Sequence, residues 1–323
     1  MEKAFKWCFI GSGKLANTIA GEILPWGQHE IVSVYSRNFE KAKIFAEKCG
    51  AVAYEDPASA ILAEDVQGVY VVTPHNAHYE YVKLALELGK PVLCEKAFTT
   101  DADQAKELFA LAAKKGLYLT EAMWTWYSPV AHKVKAWLES GVLGKLEKAE
   151  FHYHADIRHY APRLTDPNLA GGALLDIGVY PLTYLYRLFG KPEKILCEGR
   201  VEDGIDLSEE VSLTYAGGQT FTASISMDNA ACGEYLLLTG DRGHVECAGF
   251  HAANEAQLVC RNGETEVFEG FGGRRNQFDL VAREIRAGLM ESRYIPPAAT
   301  IAVMEIMDEC RRQMNLVYPF ERD

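Results

Sequence analysis

Phe9-Ile10-Gly11-Ser12-Gly13-Lys14-Leu15-Ala16 is the stretch whose reading decides the fold. An apolar run, "AFKWCFI", leads into it, and an amphipathic stretch from Gly13 to Leu24 leaves it. The segment therefore predicts a strand, a tight turn and a helix. Gly11, Gly13 and Ala16 stand in the order G-x-G-x-x-A. Gly11 permits the turn, Gly13 lets the backbone approach a pyrophosphate, and Ala16 lets the helix lie close on the strand. The start of the helix offers unpaired N–H groups and a partial positive charge to phosphate. A tight βα turn that binds nothing needs only the glycines. Here strand, helix and a second strand at the right distance agree on a dinucleotide, held by Gly11, Ser12, Gly13, Lys14 and Leu15.

Outward from this turn, apolar runs alternate with amphipathic segments. "EIVSVYS", "GVYVVT", "PVLCE" and "LYLTEAM" read as strands. Helices are predicted over Asn38–Cys49, His75–Leu88 and Asp101–Lys115. Continuous apolar strands suit a sheet covered on both faces, so residues 1–122 predict a doubly wound parallel Rossmann sheet. Beyond residue 122 the period changes. After helices at Val130–Glu139 and around "GGALLDIGVY" come "KILCEGRV", "VSLTY", "TFTASIS", "YLLLTG", "HVECA", "AQLVC" and "TEVFE". Their period-2 alternation and Gly, Asp and Asn turns predict a largely antiparallel sheet with one face on a core. Helices near Asn276–Leu289 and Ala298–Asn315 finish residues 123–323, an α+β domain.

The 323 residues exceed a typical single core, which agrees with two domains. A formal charge of -12 argues against nucleic acid and against acidic membranes as partners. No apolar run is long enough to span a bilayer. The eight cysteines are scattered with no C-x-x-C pair, and several sit in apolar strand-like runs as small hydrophobes. The N-terminus lacks the features of a secretory signal. A reduced, cytoplasmic protein is expected.

At the end of the second strand, an Asp or Glu would hold a ribose 2′-hydroxyl. The sequence there is Tyr35-Ser36-Arg37-Asn38. A hydroxyl and a forked cation suit a 2′-phosphate, so Ser36 and Arg37 predict a preference for NADP(H), with NAD(H) as the alternative. "VVTPHNAH" and "VLCEKAFTT" end predicted parallel strands, where the ligands of such sheets bind. Thr73, Pro74, His75 and His78 are placed on the nicotinamide side, with Glu95 and Lys96 beside them. For His78 the competing reading is a helix cap or a surface group, and for Lys96 a surface ion pair with Glu95.

The glycine turn, T-P-x-x-x-H, the E-K after the "PVLC" strand and "GGALLDIGVY" occur together and in order. The set resembles the glucose–fructose oxidoreductase/inositol dehydrogenase (Gfo/Idh/MocA) family over essentially the whole chain. "LTEAMWTWYSPV", "GKLEKAEFHYH" and "AGGALLDIGVY" are similar to its dimeric dihydrodiol dehydrogenase branch. Two positions depart: Ala97 stands where the family usually has Pro, and Trp126 where the branch commonly has Arg. The resemblance implies an open-faced second sheet that often forms a homodimer. It also implies a substrate between that sheet and the nicotinamide, and proton transfer by Lys96 and Tyr180.

An ionised Asp176 in so apolar a segment needs a partner. In an α-helix Asp176 and Tyr180, at i and i+4, leave on one side. With the resemblance this predicts a cluster of Lys96, Asp176 and Tyr180. A free phenol titrates at about 10, and a nearby ammonium favours phenolate. Asp176 would offset the lysine charge and orient the lysine or the substrate hydroxyl. Trp124, Tyr127, His154, Arg158, His159 and Arg163 are further candidates for substrate contact. "HYHADIRHYAPR" equally suits alternation on the exposed face of a strand. His152, His154 and Asp156 lack a fitting further partner, and no metal is expected.

The expected activity is NADP(H)-dependent hydride transfer at a secondary hydroxyl or carbonyl of a sugar, polyol or trans-dihydrodiol. The competing classes are a non-catalytic nicotinamide-sensing regulator and a redox-neutral enzyme with tightly held NAD(P).

Overall fold

The structure, a computed structural model, describes residues 3–321. The chain forms two compact units. The first opens with β1 (Phe5–Ile10), α1 (Lys14–Ile23), β2 (His29–Tyr35), α2 (Phe39–Cys49), β3 (Val52–Tyr54) and α3 (Pro57–Ile61). It continues with β4 (Gly68–Val71), α4 (His78–Glu87), β5 (Val92–Glu95), α5 (Ala102–Lys115) and β6 (Leu119–Ala122). Six parallel strands lie in the order β3-β2-β1-β4-β5-β6. Every residue of β4, β5 and β6 is buried, as their continuous apolar runs require. In α1 the buried side chains are Ala16, Ile19, Ala20 and Ile23, one stripe at helical spacing. The Asn38 side chain accepts from Lys41 N at 3.0 Å and starts α2, and Gly50 in left-handed conformation ends it.

The second unit contains α6 (Pro129–Glu139), β7 (Leu146–Asp156), α7 (Val179–Phe189) and β8 (Lys194–Glu202). The remaining strands are β9 (Ile205–Thr214), β10 (Thr220–Ser226), β11 (Asp228–Gly240), β12 (Gly243–Ala248), β13 (Glu255–Cys260) and β14 (Thr265–Glu269). Eight strands lie in the order β14-β13-β12-β11-β7-β10-β9-β8, antiparallel except for the β7–β10 pair. Ala149 and Phe151 on β7, Leu236 and Leu238 on β11, and Phe221, Ala223 and Ile225 on β10 are buried on one face. Tyr184 of α7 packs on that face, with its ring 5.7 Å from that of Phe151.

A single cut between residues 122 and 123 misses one feature. The segment Arg274–Thr300, carrying α8 (Arg275–Arg286) and the start of α9 (Pro297–Gln313), belongs to the first unit. Phe278 lies within 5.3 Å of the Trp7 ring and 5.0 Å of the Tyr70 ring. His29 Nε2 meets Asp279 Oδ1 at 2.9 Å, and the Tyr118 hydroxyl donates to Glu284 at 2.6 Å. An aromatic cluster and buried polar pairs therefore hold α8 on the Rossmann strands.

Candidate active site

The turn after β1 has the form that a pyrophosphate needs. Gly11 has φ +122°, and a Cβ there would lie 2.5 Å from the Val72 carbonyl oxygen. Only glycine fits. At Gly13, the N-cap of α1, a Cβ would meet nothing within 4 Å, so open space adjoins the backbone. Gly13 offers α1 no side-chain cap and no acid stands in its first turn, which suits an anion at this helix start. Ser12, Lys14 and Leu15 complete the loop, and Asn17 Nδ2 ties it down by donating to Gly13 O at 2.9 Å. At the end of β2, Ser36 is half-buried and Arg37 exposed. Among the described residues, no group bonds the buried Oγ1 of Thr73, at the carboxyl side of β4. These features fit a dinucleotide.

The turns after β4 and β5 are tied together by His78. Its ring is fully buried, with Nε2 at 2.8 Å from Thr73 O and Nδ1 at 3.0 Å from Ala97 O. This places His78 as a brace beneath the crevice turns rather than as an open wall. His75 is buried beside it, their rings 5.8 Å apart. Pro74, half-buried, links them to Thr73.

Glu95 ends β5 in full burial and accepts the Tyr70 hydroxyl at 2.5 Å. It therefore lies in the interior, not on the surface. Burial raises the Glu95 pKa, while the Tyr70 hydroxyl, the Lys96 charge and Arg274 oppose that rise. Glu121 on β6 is buried too, and desolvation pushes its carboxyl up to about 7, against the Thr300 hydroxyl that donates to it at 2.9 Å. Lys96 is half-buried, its charge acts on both of these acids, and the Lys96–Ala97 peptide is cis. Trp124 is buried with the Arg274 guanidinium 4.7 Å over its ring.

In the second unit, the helix expected around Asp176 is not one α-helix. Leu174–Gly178 form a π turn, and α7 begins only at Val179. The two glycines before it serve packing. A Cβ at Gly171 would lie 2.6 Å from Leu164 O, and at Gly172, with φ +124°, it would lie 2.2 Å from Asp206 Oδ1. Asp206 Oδ2 accepts the Leu174 N–H at 2.5 Å and anchors the turn. Asp176 accepts from Arg163 Nη2 at 2.9 Å, so a guanidinium within the same unit satisfies the carboxylate.

Tyr180 is buried beside a group that sequence reading missed. Its ring centroid lies 5.2 Å from that of His251 and 6.1 Å from that of Tyr153. Glu234 binds His251 twice, accepting its main-chain N–H at 2.6 Å and meeting Nδ1 at 2.7 Å. No local motif announces this, because Glu234 meets Tyr153 only through the β7–β11 register.

The other candidates disperse. Tyr127 is buried. Trp126 is buried under the Arg187 guanidinium, 4.9 Å from its ring. Strand alternation turns His154 to the face opposite Phe151 and α7. There its Nε2 meets Ser224 Oγ at 2.8 Å and its ring lies 3.6 Å from that of His152. Arg158 pairs with Glu202 at 2.7 Å, and His159 is exposed. The exposed-face reading of "HYHADIRHYAPR" describes His152 and His154.

Comparison with known proteins agrees with this architecture. Residues 5–123 match the oxidoreductase family with an NAD-binding Rossmann fold, and residues 131–246 match the GFO/IDH/MocA C-terminal domain. The trans-1,2-dihydrobenzene-1,2-diol dehydrogenase of Mus musculus is 33% identical over 340 residues, 99% of each chain. That of Homo sapiens is 31% identical over 344 residues, again 99% of each. A 3-ketoreductase from Actinomadura kijaniata, solved with NADP and TDP-benzene, shares the fold at TM-score 0.87 and 24% identity, covering 96% of this chain and 98% of its own. A putative NADPH-dependent oxidoreductase from Desulfitobacterium hafniense does so at TM-score 0.86 and 15% identity, covering 97% and 96%. With both domains matched in order and relatives alike from end to end, the chain belongs to the Gfo/Idh/MocA oxidoreductase family.

Proposed function

We propose that the protein is an NADP(H)-dependent oxidoreductase that interconverts a secondary hydroxyl and a carbonyl on a sugar, polyol or trans-dihydrodiol. The observation that carries this reading is the end-to-end relation to trans-dihydrodiol dehydrogenases, in a chain that contains Lys96, Asp176 and Tyr180. NADP(H) rather than NAD(H) is supported by Ser36 and Arg37 at the end of β2, where no acid stands. The Actinomadura kijaniata ketoreductase also carries NADP.

The turn Gly11–Leu15 would hold the pyrophosphate on main-chain N–H groups, and Arg37 with Ser36 would hold the 2′-phosphate. Thr73 Oγ1 is the buried donor available to the nicotinamide side. When bound, the nicotinamide takes or supplies hydride at the carbinol carbon. The hydroxyl proton must move as well, and Tyr180 accepts or returns it at its phenolic oxygen. The family resemblance assigns Lys96 to the same proton transfer, where a positive charge would favour phenolate. Asp176, held by Arg163, orients the substrate hydroxyl.

The exposed face of the second sheet carries Tyr235, Leu196 and Val267, which supports a homodimer through that face. All eight cysteines are free, which supports a reducing, cytoplasmic setting. No helix among the described residues is long and apolar enough to cross a membrane. A panel of diols, aldoses and dicarbonyls with NADP(H) and NAD(H), followed at the nicotinamide absorbance, tests the activity. No turnover with either cofactor rejects it, and a clear NAD(H) preference rejects the cofactor assignment.

A further inference from the structure

Three polar side chains beside Tyr180 have no part in the proton transfer above: Tyr153 on β7, Glu234 on β11 and His251 after β12. The β7–β11 register sets Glu234 directly opposite Tyr153, on the face that α7 covers. Glu234 uses one carboxylate oxygen for the His251 main-chain N–H and the other for Nδ1, at 2.6 and 2.7 Å. The Thr125 hydroxyl adds a bond to the His251 carbonyl at 3.0 Å. The imidazole is therefore fixed in position and orientation, as a carboxylate partner fixes a working histidine. Its Nε2 points to the Tyr153 hydroxyl at 3.4 Å. Apolar side chains would fill this place at less cost, as Leu236 and Phe151 do one step along the same strands. The His251 side chain keeps 24% of its surface exposed and Glu234 13%, so the group is open on one side.

Resting on the oxidoreductase reading, we infer that His251, held by Glu234 and partnered by Tyr153, determines specificity by hydrogen-bonding a substrate hydroxyl other than the reacting one. The ligand class is an oxygen-rich molecule, a sugar or polyol, in which a second hydroxyl lies near the reacting carbon. With Nδ1–H on Glu234, the one lone pair of Nε2 accepts from the Tyr153 phenol or from that substrate hydroxyl, and when it takes the substrate hydroxyl the phenol turns its own O–H to the substrate. A substrate with a single hydroxyl has no second group to bond here and gains nothing from the site.

The test uses the full chain, with D-xylose as the polyhydroxylated probe and cyclohexanol as the probe with one hydroxyl. His251→Phe keeps an aromatic ring beside Tyr180 but removes Nε2. The ratio of kcat/KM for D-xylose to that for cyclohexanol should fall about tenfold or more in this variant. Tyr153→Phe should lower the ratio in the same direction. In parallel, the NADPH-saturated wild type is titrated with each probe, over a time in which the nicotinamide absorbance stays unchanged. The His251 ring Cε1–Hε1 NMR signal, assigned by its loss in His251→Phe, is the readout. D-Xylose should shift that signal and cyclohexanol should not. An unmoved signal, or an unchanged ratio, overturns the inference while leaving the oxidoreductase reading intact. If no probe is turned over, that reading is judged by the broader panel and the NMR titration alone decides this one.

Discussion

Asp176 sits under the guanidinium of Arg163, with Nη2 and Oδ1 2.9 Å apart and the Asp176 side chain only 10% exposed. The most conspicuous acid of an apolar segment is thus satisfied within its own unit, by a residue 13 positions upstream. Arg163 therefore positions Asp176. Arg163→Ala should lower kcat/KM roughly tenfold, the worth of one charge-assisted hydrogen bond. Arg163→Lys should restore part of it. Steady-state kinetics of the two variants check this, and an unchanged kcat/KM in Arg163→Ala would remove Arg163 from the site.

The assigned proton carriers make a sharper claim. Lys96→Met and Tyr180→Phe should each lower kcat by about two to four powers of ten, the range of general acid–base catalysis. NADPH binding, read from nucleotide fluorescence, should change far less, because we assign the pyrophosphate to the turn Gly11–Leu15. Near-normal kcat in both variants rejects the roles.

We propose that cofactor choice rests on Arg37, exposed at the end of β2. Arg37→Ala should cost roughly 10- to 100-fold in kcat/KM for NADP⁺, one charged hydrogen-bonding contact with a phosphate. The value for NAD⁺, which lacks that phosphate, should hold or rise. Equal losses for both cofactors would mean that Arg37 does not read the 2′-phosphate.

Much of the fold was legible because local rules and tertiary structure agree. Gly11 and Gly13 announce the βα turn, and β4, β5 and β6 are buried on both faces as their apolar runs predict. Failures came where packing over distance decides. Phe278 joins the Rossmann strands through an aromatic cluster with Trp7 and Tyr70 that no local pattern encodes. The π turn at Leu174–Gly178 has the same apolar spacing as an α-helix, and what sets it apart is the anchor on Asp206. The histidines of β7 alternate with Phe151 and Tyr153, and only the position of α7 tells which set faces the core. Glu234 and His251 lie 17 residues apart across a hairpin, so their pairing depends on register.

Gly172 tests how tightly that segment is built. Its φ of +124° disfavours any L side chain, and a Cβ would meet Asp206 Oδ1 at 2.2 Å. Gly172→Ala should destabilise the protein by about 1–3 kcal/mol from backbone strain alone. It should also lower kcat, because displacing Asp206 frees the Leu174 N–H and loosens the turn that carries Asp176. Chemical denaturation and kinetics on the same preparation check both; wild-type stability would mean that the segment accommodates a side chain freely.

Buried Glu121 gives the stability of the first unit a pH dependence of defined sign. Desolvation raises its folded pKa to about 7, above the ordinary carboxylate value of 4.5. Between those values the folded state binds more protons than the unfolded state, so stability falls as pH rises and levels off above 7. The span corresponds to about 3 kcal/mol at 1.36 kcal/mol per unit. Glu121→Gln keeps the shape and a partner for the Thr300 hydroxyl but cannot ionise. It should flatten this part of the curve, leaving the variant more stable than wild type at pH 8 and little changed at pH 4.5. Denaturant unfolding of both proteins from pH 4.5 to 8 measures the difference. A difference that does not grow with pH would show that Glu121 ionises in the folded protein as readily as in the unfolded chain.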